Sequence, residues 1–146
     1  MIFWRRFRTG LWQCLLVLVL AGSLAAEELA VTTLVIGDQA LQTELAVTPE
    51  QRNTGLMHRE HLPPDAAMLF VYAATGQRCF WMHNTLIPLT LAFLADDGTV
   101  LQLVDMTPQS RDVHCSAMPV QYALEVNQGW FEQHGLGLGD RVQGLP

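Results

Sequence analysis

The sequence predicts an α+β, mainly β protein: a compact antiparallel or mixed β barrel or sandwich with two short helices. Three observations carry that expectation. Short β-branched or alternating runs, such as Val31–Ile36 and Leu89–Leu94, recur along the chain. Turn-forming residues such as Gly37-Asp38 and Asp96-Asp97-Gly98 punctuate them. Pro63-Pro64 stops any long helix.

Taken in order, the first element is the N-terminal leader. Arg5, Arg6 and Arg8 precede an apolar run from Leu11 to Leu20, and Ser23-Leu24-Ala25 places small residues where a signal peptidase reads. Residues 1–25 are therefore expected to be a signal peptide, cut after Ala25 or, as the next candidate, Ala26. A retained membrane anchor is the alternative, but the run falls short of the roughly 20 residues that span a bilayer. Arg5-Arg6 lacks the continuation of a twin-arginine signal, and Cys14 lies inside the run rather than at its end.

Residues 26–40 form a lead-in with a strand at 30–36, and residues 41–146 are read as a single β-rich domain. Leu41, Thr43, Leu45 and Val47 alternate with polar neighbours, which pairs a second strand with the first. Thr48-Pro49-Glu50-Gln51 has the composition of a capping box with proline at the first helical position. That helix is expected to reach Met57 or Arg59. A strand at Met68–Tyr72 should turn at Ala74-Thr75-Gly76 into Arg78–Met82. Leu89–Leu94 and Thr99–Met106 make the clearest hairpin. Val120–Val126 is a further strand. Asn127 should then cap a helix through Trp130, Phe131 and Glu132, ended by a left-handed Gly135. Leu138–Val142 reads as a turn and a last strand.

Charge and cysteines narrow the function classes. The full chain has 8 basic and 14 acidic residues, for a net charge of −6. Removing residues 1–25 leaves five arginines against all fourteen acids, and no lysine occurs anywhere. Such a balance repels phosphate backbones and anionic membranes, so neither nucleic acid nor stable membrane insertion after cleavage is expected. Cys79 and Cys115 remain in an exported chain, where one disulfide is the simplest outcome. Free buried thiols and metal ligation are the alternatives. The location expected is periplasmic or secreted.

The chemically richest stretch is Phe80-Trp81-Met82-His83-Asn84-Thr85-Leu86-Ile87-Pro88-Leu89. An amide and a hydroxyl interrupt apolar sequence here, and each buried polar group without a partner costs roughly 1–3 kcal/mol. The block therefore serves a turn or faces a ligand. Together with Gly55-Leu56-Met57-x-Arg59, Met68-Leu69-Phe70-Val71, Tyr122-x-Leu124-Glu125 and Gly137-x-Gly139-Asp140, it resembles the bacterial "domain of unknown function 192" family, from about Leu41 to Val142. The resemblance implies a small, mostly β fold with short helices, often exported, and carries no settled reaction or catalytic residue. Two positions depart from the family: His83 stands where lysine is usual, and Thr90 where aspartate is usual.

The candidate ligand-binding residues are Arg59, Trp81, His83, Asn84, Thr85 and Glu125. An aromatic face with convergent polar groups suits a small polar molecule or a cell-envelope component such as a sugar. The structural alternative is that Arg59 and Glu125 pair and that Asn84-Thr85 only forms a turn. The leading expectation is thus an exported, non-catalytic binding module that needs no cofactor. A second is an envelope-acting enzyme with His83 or Glu125 as acid–base group. Ser116 and Thr85 could serve as nucleophiles, but no Gly-x-Ser-x-Gly elbow is present. A third is copper handling by Met57, His58, Met82, His83, His114 and Met118, whose soft ligands suit the reduced ion. Adjacent strand residues point to opposite faces, which opposes Met82 and His83 sharing one ion. His61 and His134 are read as surface residues at helix ends.

Overall fold

The computed structural model describes residues 28–146, so the expected signal peptide and its cleavage site lie outside the described residues. Nine strands and two short helices follow: β1 (Val31–Ile36), β2 (Gln39–Ala46), α1 (Pro49–Thr54), β3 (Ala66–Gly76), β4 (Cys79–Phe80), β5 (Leu89–Leu94), β6 (Val100–Met106), β7 (His114–Cys115), β8 (Val120–Asn127), α2 (Trp130–Gln133) and β9 (Val142–Gln143). Seven strands form one mixed sheet in the order β6-β5-β8-β3-β2-β1-β9, and β4 with β7 form a second, two-stranded sheet. The fold is the mainly β, α+β architecture expected, a curled half-barrel rather than a sandwich.

Both predicted hairpins are present. Gly37, at φ 61°, turns β1 into β2, and β5 pairs antiparallel with β6 across the Asp96-Asp97-Gly98 turn. The one parallel pair, β2 with β3, needs a crossover, and α1 with the loop to Ala66 supplies it. The N-terminus of α1 carries the predicted capping box. The Gln51 backbone N–H donates to Thr48 Oγ1 at 3.2 Å, and Gln51 Oε1 accepts from Thr48 N–H at 3.0 Å.

The helix ends sooner than predicted. Gly55 adopts φ 49°, a conformation with no steric penalty for glycine, and turns the chain so that Leu56 is buried. β3 in turn runs past the predicted turn to Gly76, with an irregular register between Val71 and Gly76. Asn127 does not cap α2. It closes β8, and its amide donates to the Leu62 and Pro63 carbonyls, both at 3.0 Å, while Gly129 at φ 82° starts the helix. Gly135 does end α2 with a left-handed φ of 65°.

Because side chains alternate along strands, the sheet carries two separate cores. On the inner face, Leu34, Leu41, Leu69, Leu94, Leu124 and Val142 pack with Trp130 and Phe131 of α2. The outer face buries Met68, Phe70, Leu91 and Phe93 beneath Leu56, Leu62, Phe80, Met82 and Ile87, which come from the connecting segments. The inner face is closed by the sheet itself. Val142 N–H donates to Gly98 O at 2.9 Å and Val100 N–H to Asp140 O at 2.8 Å, so edges β6 and β9 meet at one end. Gly98 sits at φ 87°, and a Cβ there would lie 2.1 Å from the Val142 carbonyl oxygen. Only glycine fits this seam.

The predicted disulfide joins Cys79 to Cys115, which are directly paired across β4 and β7. Closing a loop of that length stabilises by about 3–4 kcal/mol in the chain-entropy account. The small sheet it staples has only two residue pairs, yet it holds Phe80 against the outer core. Phe80 packs edge-on to Phe70 at 4.9 Å and to Phe93 at 5.8 Å.

Candidate functional site

Glu125 anchors the site, and the sheet register places it. Its neighbours across the sheet are Met68 on β3 and Leu91 on β5, all three on the outer face. An acid among such residues is surrounded by apolar side chains, and Glu125 is 5 % exposed. Burial pushes its carboxyl up to about 8, so it is largely un-ionised at neutral pH. Among the described residues, no donor hydrogen-bonds to it and no cation pairs with it; its remaining exposure opens onto a cavity of about 290 Å³. That volume lies at the small end of the range typical of ligand pockets, roughly 300–1,000 Å³.

The cavity walls come from four segments: α1 through Arg52, the turn Thr54–Met57, β3 through Phe70 and Tyr72, and the stapled segment Cys79–Trp81 with Thr85. Tyr72 stands two residues beyond Phe70, on the face shared with Glu125. Its ring is covered by two guanidiniums, Arg78 at 3.9 Å and Arg52 at 4.7 Å from the ring centre. Arg52 is fixed in turn by donating to the Val71 carbonyl at 3.0 Å and to that of Val47. Burial raises the Tyr72 phenol above its ordinary value, the two arginines oppose that rise, and Glu125 adds to it.

Three of the six sequence-predicted binding residues line this cavity: Trp81, Thr85 and Glu125. Trp81 is half exposed (49 %) and forms the rim. Thr85 is buried, with only a long 3.4 Å contact from its hydroxyl to the His83 carbonyl. His83 does not line the cavity. Its ring lies 4.9 Å from the Trp81 ring and supports the rim from outside. Asn84 is exposed and shapes the backbone: it takes φ 55°, and its carbonyl accepts from His58 N–H at 2.8 Å. It therefore acts in the turn, as asparagine tolerates left-handed geometry.

The proposed pairing of Arg59 with Glu125 is corrected. Arg59 makes a two-pronged ion pair with Glu44, at 2.6 and 2.5 Å, and the Glu44 hydrogen bond holds its guanidinium above the usual value. The sequence reading missed Arg52, Tyr72 and Arg78. Period-two spacing from Met68 could have put Tyr72 on the Phe70 face, but nothing local brings the arginines to it.

The other candidates sit elsewhere. Met82 is sealed in the outer core, Met118 is 60 % exposed, and the Cys115 sulfur is spent in the disulfide. Met57 lines the cavity, His58 is exposed beside it, and His114 is paired with Phe80 across the small sheet. Ser116 is buried and accepts from Arg78 N–H at 3.1 Å. His61 is exposed in the loop after α1 rather than at its end. His134 is exposed at the end of α2, where its Nδ1 lies 2.7 Å from Trp130 O. Thr90 donates to Asp105 Oδ1 at 2.6 Å and accepts from Gly129 N–H at 3.2 Å, tying β5 to β6 and to the start of α2. That hydroxyl is a structural link.

A family model, DUF192, described as an uncharacterized ACR, matches residues 32–144. A crystal structure from Sinorhizobium meliloti 1021, described as that of a proposed transcription regulator, is 36 % identical with a TM-score of 0.79, over 80 % of this chain and 95 % of that one. A protein of unknown function from Novosphingobium aromaticivorans DSM 12444 is 28 % identical with a TM-score of 0.77, over 82 % of this chain and 89 % of that one. No curated protein matches. The chain belongs to the DUF192 family.

Proposed function

We propose that this DUF192 member is an exported, non-catalytic binding module for a small neutral polar molecule or cell-envelope fragment, held in the cavity above Glu125. The observation that carries the reading is a carboxyl set among apolar neighbours, without a partner among the described residues, at the base of a hollow rimmed by an exposed indole. A protein does not gain stability by burying such a group; an un-ionised acid offers one donor and one acceptor to whatever fills the space. Thr85 adds a hydroxyl, and Trp81 adds the flat apolar face on which a sugar ring packs. Export to the periplasm or medium is supported by the signal-like residues 1–25 and by a disulfide, which persists in oxidising compartments. The acidic balance disfavours nucleic acid, so the regulator description of the Sinorhizobium protein is not transferred.

The test is a thermal-shift and calorimetric screen of neutral glycans and polyols. Binding that Trp81→Ala and Thr85→Ala both weaken is the expected result. Binding untouched by both substitutions overturns the site. One observation favours a second reading, an envelope-acting enzyme: a carboxyl un-ionised at neutral pH is in the state a general acid needs. Turnover of cell-wall fragments that Glu125→Gln abolishes would establish that reading over the first.

A further inference from the structure

We propose that Glu125 is a proton-gated recognition group: with its proton it donates a hydrogen bond to a carbonyl oxygen of a neutral ligand, and without it the cavity rejects that carbonyl. This rests on the binding-module reading and adds to it the atom recognised and the condition for holding it.

The argument begins with what surrounds the carboxyl. From β5 only Leu91 faces it, and from β3 Met68 and Phe70 are apolar. The titratable and charged groups on that side are Tyr72 of β3, Arg52 of α1, Arg78 just before β4, and Glu44 of β2, and Asn53, Thr54 and Thr85 add neutral polar groups to the cavity wall. The charged groups among them already have commitments. The two guanidiniums cover the Tyr72 ring, and Glu44 is tied to Arg59. None of them hydrogen-bonds to Glu125, so a ligand is the partner the carboxyl lacks.

A protonated carboxyl donates to a ligand carbonyl oxygen; the ionised form has only acceptors and repels that oxygen, whereas a hydroxyl can turn and donate to it. Ionisation would also place a full charge beside Met68, Leu91 and Phe70, with solvent only on the cavity side. A neutral carbonyl is therefore favoured over a carboxylate, which would face the ionised form with like charge. The neighbouring groups keep their state through the relevant range. Tyr72 is held above its ordinary value, and arginine stays charged. A change in affinity between pH 6 and mildly alkaline pH thus reports Glu125 once the rim imidazole of His83 is controlled.

The experiment is titration calorimetry at about pH 6 and about pH 9.5 with N-acetylglucosamine, whose acetamido carbonyl only accepts, and with methyl β-glucoside as the probe that lacks a carbonyl. Four intact proteins are compared: wild type, Glu125→Gln, His83→Gln and Trp81→Ala. The affinity of wild type for N-acetylglucosamine should fall about ten-fold or more at the higher pH, the size of one lost hydrogen bond. Glu125→Gln, whose amide donates at any pH, should bind with no such fall, and His83→Gln should behave as wild type. Wild-type affinity that does not change with pH, or an equal fall in Glu125→Gln, overturns the gate while leaving the cavity as a site. If neither sugar binds any of the proteins, the neutral-sugar reading fails. The gate is then read by infrared spectroscopy of the ligand-free protein. A protonated-carboxyl band present at pH 6, absent in Glu125→Gln and lost by pH 9.5 supports it, and absence of that band at pH 6 overturns it.

Discussion

The two faces of the large sheet are built from the same strands and solve opposite problems. The inner face is sealed by α2 and by the β6–β9 seam, and its buried hydroxyls are all paired: Tyr122 donates to Pro146 O at 2.6 Å, Thr43 to Leu41 O at 3.1 Å and Thr90 to Asp105 Oδ1 at 2.6 Å. The outer face is roofed by loops and a two-residue ladder, and it keeps an ionisable group in the dark beneath a hollow. The difference shows where the molecule has spent stability. A closed face built by regular pairing tolerates no polar orphan. A face roofed by connecting segments can be shaped around one, and that is the face on which a function is expected.

The largest effect that would break this comparison lies on the closed side. Phe131→Ala should cost about 3–5 kcal/mol in urea or thermal unfolding, because α2 has no other way to fill its seat. Phe80→Ala, at the cavity wall and 9 % exposed, should cost clearly less, since the space it leaves joins a hollow already present. Equal losses would mean that the faces are not energetically distinct. Next comes the seam. Gly98→Ala forces a Cβ onto the Val142 carbonyl and a positive φ onto alanine, and should cost about 3 kcal/mol.

Glu125 sharpens the comparison with the opposite sign. Its carboxyl ionises near 4.5 in an unfolded chain and at about 8 in the folded one. Between those values the folded protein holds a proton that the unfolded chain has released, so stability falls as pH rises through that window and levels off above it. Glu125→Gln removes the dependence and should be about 3 kcal/mol more stable than wild type at pH 7, with the gap closing near pH 4. Chemical denaturation at the two pH values measures it. A gap that does not close toward pH 4 contradicts the assignment. The smallest effect is at Arg59, whose partly exposed pair with Glu44 should contribute about 1 kcal/mol or less and weaken in high salt.

Local signals carried much of the fold. The Thr48–Gln51 box, the Gly37 turn, the Asp96-Asp97-Gly98 hairpin and the Cys79–Cys115 pair each act within a few residues or follow from redox context, and each is present as read. What the chain hides is register. Nothing in Ala40–Ala46 says that β2 will lie parallel to β3, and that pairing sets which strand carries Arg59's partner. Glu44 and Glu125 are each acids beside apolar residues in a strand, so a sequence cannot tell which one Arg59 reaches. The site was legible in half. Thr85 and Glu125 stood out because they break an apolar pattern, and Trp81 because its aromatic face adjoins those polar groups. Tyr72 did not, because it continues one. Asn84 was singled out for its side chain, whereas its backbone conformation explains its place.

The Cys79–Cys115 bond has one further consequence. Residues 79–115, which include the whole β5–β6 hairpin, form a closed covalent ring. The exposed stretch from Arg111 to Val113 lies on that ring, where proteases find accessible chain. A single cut there would open the ring without releasing a fragment, so the clipped protein would migrate as one species until reductant is added. The rim tryptophan would stay tethered on both sides of the break.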